Sequence, residues 1–149
     1  RLRDVRCGAD GRQYPLLTVG GGTNRNYKPG DPVQDDFYLQ MQGREVFKQA
    51  VRSLSAVCSE LLEDNGLTLE DIDIPHQANL RIIEAVGDRL KLGSEKIFVN
   101  LDEYGNTSAA SIPLGIGDAC AQGRIRPGSR VLLSAFGGGF TWGAALLEF

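Results

Sequence analysis

Three short stretches of this 149-residue chain concentrate groups able to stabilise negative charge. "PHQANLRI" carries the only histidine, His76, directly after a proline; "YGNTSAAS" carries Asn106 ahead of a run of small residues; "AFGGGF" sets Gly137, Gly138 and Gly139 in a row. An imidazole, a carboxamide and backbone amides all donate hydrogen bonds. Neutral donors aimed at one oxygen stabilise an oxyanion, which is the usual largest contribution in carbonyl chemistry. A lone histidine is more often structural than catalytic, so position has to make the case. His76 and Asn106 each fall between a predicted strand and a predicted helix, and the glycines fall at the end of another predicted strand. The crevice beyond the carboxyl ends of strands is where open α/β sheets bind ligands.

The elements that must hold these donors are legible in the apolar spacing. Val46, Phe47, Ala50, Val51, Leu54, Val57, Cys58, Leu61 and Leu62 repeat at three-four intervals. They predict a helix from Gly43 onward that Asn65 and Gly66 stop in a left-handed turn. Thr68 with Asp71 has the form of a capping box opening one short turn before "IDIP". Leu80, Ile83, Val86 and Leu90 mark a second helix, "KIFVN" at 96–100 reads as a short strand, and 108–122 reads as a third helix with Pro113 inside it. "RVLLSAF" is the continuous apolar run of a strand buried on both faces, and "FTWGAALLEF" closes the chain as its neighbour. Upstream, residues 1–19 read as two extended segments paired around the turn formers of "GADGR", and 20–36 as a Gly- and Pro-rich loop or flap. This order predicts an α/β fold, a mixed sheet covered by helices, in one domain across residues 1–149.

Composition limits the partners. Sixteen basic against nineteen acidic side chains give a net charge of −3, so no global basic field suggests nucleic acid. No apolar run approaches the roughly 20 residues of a membrane span, and no charged-then-apolar leader opens the chain. Cys7, Cys58 and Cys120 are odd in number and widely scattered, against a disulfide framework and for a reducing compartment, so a cytoplasmic protein with no membrane partner is expected. The chain opens on Arg1 and its only methionine is Met41, which makes a fragment the expectation.

Together "PHQANLRI", "GNTSAAS" and "AFGGGFTWGAALLEF" resemble the C-terminal half of the β-ketoacyl-acyl-carrier-protein synthase III family, condensing enzymes of the thiolase superfamily. The resemblance covers nearly the whole chain and implies a thiolase-like half with a mixed five-stranded sheet. It makes His76 and Asn106 two members of a Cys-His-Asn triad and places Gly138 in the loop that helps hold the acyl thioester oxygen. The nucleophilic cysteine would belong to an N-terminal half, so this chain alone is expected to be inactive. The implied substrates are acyl-coenzyme A and malonyl-acyl carrier protein, with coenzyme A thioester as substrate, no permanently bound cofactor, no metal, and a homodimer. Lys48, Arg44 and Arg81 match positions at the mouth of a pantetheine tunnel that meet coenzyme A phosphates or the acidic carrier; as residues, they read equally as a solvated face. Asn79 is a helix cap or, by resemblance, a pantetheine contact, and Phe136 and Phe47 are core or tunnel wall.

None of the three cysteines suits a nucleophile. Cys58 lies on an apolar helix stripe, Cys7 in an extended segment, and Cys120 near a helix end, where the dipole disfavours a thiolate. In one departure from the resembled pattern, the strand entering Pro75 is about two residues short, which removes roughly 7 Å of reach while keeping the inward-outward alternation. Two other functions share these features: a condensing enzyme or acyltransferase of specialised metabolism with the same triad, and a cysteine-free companion subunit that binds acyl-coenzyme A or carrier protein.

Overall fold

The computed structural model describes residues 1–21, 28–33, 35–72, 74–76 and 80–149, with Asp36 and residues 74–76 described by backbone alone. The strands are β1 (Leu2–Ala9), β2 (Leu17–Thr18), β3 (Gln40–Met41), β4 (Ile74–His76), β5 (Arg130–Gly137) and β6 (Thr141–Glu148). The helices are α1 (Gly43–Asp64), α2 (Leu80–Leu90), α3 (Leu101–Tyr104) and α4 (Ser111–Ala121). Among the described residues the main sheet runs β1-β6-β5-β4, with β4 parallel to β5 and the other pairs antiparallel; β2 and β3 form a separate ribbon.

Alternation along the central strands sends side chains to two cores. Leu132, Ala144 and Leu146 pack under α1 with Val57, Cys58, Leu61 and Leu62. Val131 and Leu133 point the other way, against Ala119, Ile112 and Ile116 of α4. Ala50 and Leu54 of α1 meet Ile82 and Val86 of α2, completing the first layer. Gly66, at φ 63, takes the left-handed backbone that stops α1, as the sequence predicts. Thr68 and Asp71 form the expected capping box, with the Thr68 N–H donating to Asp71 Oδ2 at 2.8 Å. Val131, Leu132, Leu133 and Ser134 are buried as the apolar run requires. Among the described residues no helix is long and apolar enough to cross a membrane.

Two expectations are corrected. Residues 1–19 do not form a strand pair with each other. Asp10 accepts from the Arg12 N–H and starts a six-residue 3-10 helix, Gly11–Leu16, which carries the chain off the sheet, so β1 pairs with β6 and β2 with β3. The second is the strand at "KIFVN", and with it the fifth strand of the sheet. Only a single bridge forms there, at Phe98, and the described sheet has four strands. The physical reason is that Lys96 is tied to the Leu69 and Glu70 carbonyls at 3.1 Å each, while Phe98 is buried among α4 residues, which anchors the segment by side chains. The α/β class, a mixed sheet covered by helices, stands.

Candidate active site

The loop between α3 and α4 is built to present a carboxamide. Gly105, at φ 65, turns the chain out of α3. The Ser108 N–H donates to Asn106 Oδ1 at 2.9 Å, fixing which end of the amide is occupied and leaving Nδ2 as the donor. Ser108 itself sits at φ 54, a left-handed backbone that costs a non-glycine residue roughly 1–2 kcal/mol and is held here by its neighbours. Those neighbours are Thr107 and Ser111: the Thr107 N–H donates to Ser111 Oγ at 3.1 Å, and the two hydroxyls bond at 2.9 Å.

Asn106 opens onto a cavity of about 770 Å³ whose far side is the β5–β6 turn, with Gly137 and Gly138 in its lining. Gly138 lies close to the backbone of β2: a Cβ there would stand 3.6 Å from the Leu17 carbonyl oxygen. Ile82 of α2 and Phe136 complete the inner wall, and the β2–β3 ribbon contributes Leu17, Thr18 and Met41. Asn106 and Gly138 are therefore brought to one space from two different connections, the α3–α4 loop and the β5–β6 turn. His76 ends β4, and its Cα pairs with Leu133, one residue before cavity-lining Ser134. Its backbone thus lies at the strand end facing the same crevice; its side chain lies outside the described residues, and so does Asn79. The β4 strand has the three residues Ile74–His76, with residue 73 outside the described set.

The basic candidates are not in the cavity lining. Lys48 is exposed on α1 and pairs with Glu45 at 2.7 Å, which holds the Glu45 carboxyl below its ordinary range. Arg44 and Arg81 are exposed on α1 and α2, and Arg81 adjoins Ile82. Phe47 is exposed on α1, so it is neither core nor cavity wall; Phe136 lines the cavity, tilted against Phe140 at 4.7 Å. The cysteines sit as expected: burial pushes the Cys58 thiol up to about 11, and Cys120 lies exposed in the last turn of α4. Sequence reasoning missed the β2–β3 ribbon as a wall. Its signal was present in "PLLTV" and "YLQM", two apolar segments flanking a Gly-Pro loop.

Helices on both faces of a mixed sheet, with Asn106 on the α3–α4 loop and the Gly137–Gly138 amides at the end of β5 opening onto one cavity, make a thiolase-like half. The chain belongs to the family described as 3-oxoacyl-[acyl-carrier-protein (ACP)] synthase III C terminal, which it matches over residues 62–149. It is 63% identical, over 99% of its length, to the β-ketoacyl-[acyl-carrier-protein] synthase III of Nitratidesulfovibrio vulgaris Miyazaki F, and covers 46% of that protein. The solved synthase III of Thermus thermophilus superposes with a TM-score of 0.87 at 44% identity, covering 99% of this chain and 46% of that one. The priming β-ketosynthase of the R1128 polyketide pathway gives a TM-score of 0.87 at 28% identity, covering 99% of this chain and 45% of that one. The chain thus spans about half the length of the proteins it matches.

Proposed function

We propose that this chain is the C-terminal catalytic half of a β-ketoacyl-acyl-carrier-protein synthase III, which condenses an acyl-coenzyme A primer with malonyl-acyl carrier protein to begin fatty acid synthesis. The observation that carries the reading is the shared cavity of Asn106 and Gly138, with Asn106 Oδ1 already occupied and Nδ2 left to donate. A cysteine thiolate from an N-terminal half attacks the acyl-coenzyme A carbonyl and expels coenzyme A, with the Gly138 amide holding the oxyanion. The malonyl thioester then loses carbon dioxide, and the negative charge passes to its thioester oxygen, which His76 and Asn106 stabilise as neutral donors. The enolate carbon attacks the acyl-cysteine carbonyl, the C–S bond breaks, and the cysteine thiolate is released with the β-ketoacyl-carrier product. No resident cofactor or metal takes part in this scheme; Lys48, Asn79 and Arg81 are assigned to the entrance, where the coenzyme A phosphates or the acidic carrier arrive.

The complete enzyme is read as a cytoplasmic homodimer with an N-terminal half, and the exposed face of the same sheet supports a covering partner. Ala135 is exposed although it lies on a central strand, and Cys7, Ala9 and Thr141 lie exposed on the same face, beside the part that α4 covers. Ala109 and Ala110 are exposed ahead of α4. Small side chains let a second backbone approach closely, and apolar faces of this kind are covered in working assemblies. The specialised-metabolite reading draws on the R1128 relative; it is the second reading because that identity is 28%, against 63% for the β-ketoacyl-[acyl-carrier-protein] synthase III above. The test is a product assay with acetyl-coenzyme A and malonyl-carrier protein. The full-length protein should release coenzyme A, carbon dioxide and β-ketoacyl-carrier in equal amounts, and this chain alone should release none. Condensation by the isolated chain, or failure of the full-length protein to decarboxylate malonyl thioester, would overturn the reading.

A further inference from the structure

Asn106 stands on a loop, and a loop donor needs something rigid behind it. The short helix α3, just upstream, has four residues, far too few to hold together alone. Both of its ends are tied to one carboxylate on α4: Asn100, its buried N-cap, donates from Nδ2 to Asp118 Oδ2 at 2.8 Å, and the Tyr104 hydroxyl reaches Asp118 Oδ1 at 3.4 Å. The Asp118 charge holds the Tyr104 phenol above its ordinary range, as expected of a phenol beside a carboxylate. At the far end of the loop, Ser111 of the same helix holds Thr107. Asn106 is thus suspended between two tie points on α4, Ser111 and Asp118, about two helical turns or roughly 10 Å apart.

We propose that Asp118 is a positioning residue for Asn106, setting where the carboxamide donor stands by pinning both ends of α3 to α4. It touches no substrate; it acts through the loop. The proposal rests on the role given to Asn106 above, so the experiment separates the two. In the full-length enzyme, Asp118→Ala and Asp118→Asn are each made alone and in an Asn106→Ala background. Malonyl decarboxylation and acyl transfer to cysteine are then measured separately.

Misplacing a donor by an ångström can slow a reaction on the order of 10²-fold, so Asp118→Ala should lower kcat for decarboxylation about 10- to 100-fold. KM for malonyl-carrier and the rate of acyl transfer should stay within about threefold. Asp118→Asn keeps an acceptor for Asn100 and should recover much of the rate. Without the Asn106 carboxamide, removing Asp118 should change decarboxylation by less than about twofold. If Asp118→Ala lowers decarboxylation by the same factor with and without Asn106, or leaves it unchanged, the positioning role is refuted while Asn106 keeps its own. If Asn106→Ala by itself leaves decarboxylation intact, the donor role falls first and takes the positioning role with it. Should Asp118→Ala fail to fold, the same comparison is read from Asp118→Asn, which must show a smaller loss that also vanishes in the Asn106→Ala background.

Discussion

Gly8 is the position where one methyl group should do the most visible damage. It lies opposite Trp142 in the β1–β6 ladder, and a Cβ built on it would stand 2.6 Å from Trp142 Cε2 and Nε1 and 2.8 Å from Cζ2. Carbon atoms pack at roughly 3.5–4.0 Å, so the indole would have to retreat by about 1 Å. It has little room, because it is packed against the core under α1 and against the α1–α2 cluster that includes Phe136. Overpacking of this kind costs about 1–3 kcal/mol, while replacing glycine by alanine returns about 0.4–1 kcal/mol through the unfolded chain, leaving a net loss centred on about 1.3 kcal/mol for Gly8→Ala. At the urea sensitivity of a small domain, that lowers the midpoint by roughly 0.5–1 M. Unfolding followed by circular dichroism and by emission of Trp142, the chain's only tryptophan, measures it directly. Trp142→Phe should relieve the clash, so the double variant should be more stable than the sum of the singles predicts, by about 1 kcal/mol. A neutral or stabilising Gly8→Ala, or strict additivity with Trp142→Phe, would refute the argument from contact distance.

Thiol chemistry and acid stability give two further checks. Cys7 and Cys120 are exposed, whereas Cys58 is buried with its thiol pushed up to about 11, so a thiol reagent at neutral pH should modify the first two and reach Cys58 only on unfolding; early loss of Cys58 would contradict its place in the core. The Thr68 backbone and hydroxyl hold the Asp71 carboxyl below its ordinary range. A carboxyl depressed in the folded state contributes stability that is present above its unfolded pKa and is lost as pH falls through the folded one. Asp71→Asn should therefore lower stability at neutral pH and flatten the acid limb of the stability profile below about pH 4. An unchanged acid limb in urea midpoints taken across that range would count against the cap.

The elements read most directly from sequence were those whose signal is local. The apolar stripe of α1 and its Gly66 stop lie within one stretch of chain, as does the uninterrupted apolar run of β5, and both stand where the spacing puts them. The partner of β1 was not legible, because pairing with β6 joins the two ends of the chain and leaves no trace in either strand's own alternation. "GADGR" misled for a related reason. Asp10 and Gly11 suit a hairpin turn and equally suit the start of a 3-10 helix, and here the Asp10 side chain caps the helix by accepting from the Arg12 N–H. "KIFVN" carries strand-forming residues, yet Lys96 and Phe98 find tertiary partners that hold the segment without a ladder. At the site, Asn106 and the glycines were visible by residue type, but only the glycines stand at a strand end: with no strand element at "KIFVN", Asn106 is carried by the α3–α4 loop. Asp118 was invisible, since eighteen residues separate it from Asn100 and nothing local marks an acidic residue on a helix as a brace.

The central claim is that this chain supplies the donors for the enolate oxygen, and the most direct measurement is carbon dioxide release from malonyl-carrier thioester by the full-length enzyme, alongside acyl transfer to its cysteine. Loss of a single oxyanion donor costs on the order of 10²–10³-fold, so Asn106→Ala and His76→Ala should each slow decarboxylation by about that factor. Acyl transfer, assigned under the proposal to the Gly138 loop, should be much less affected, and the melting temperature should hold. Equal slowing of both half-reactions, or unimpaired decarboxylation in either variant, would contradict it.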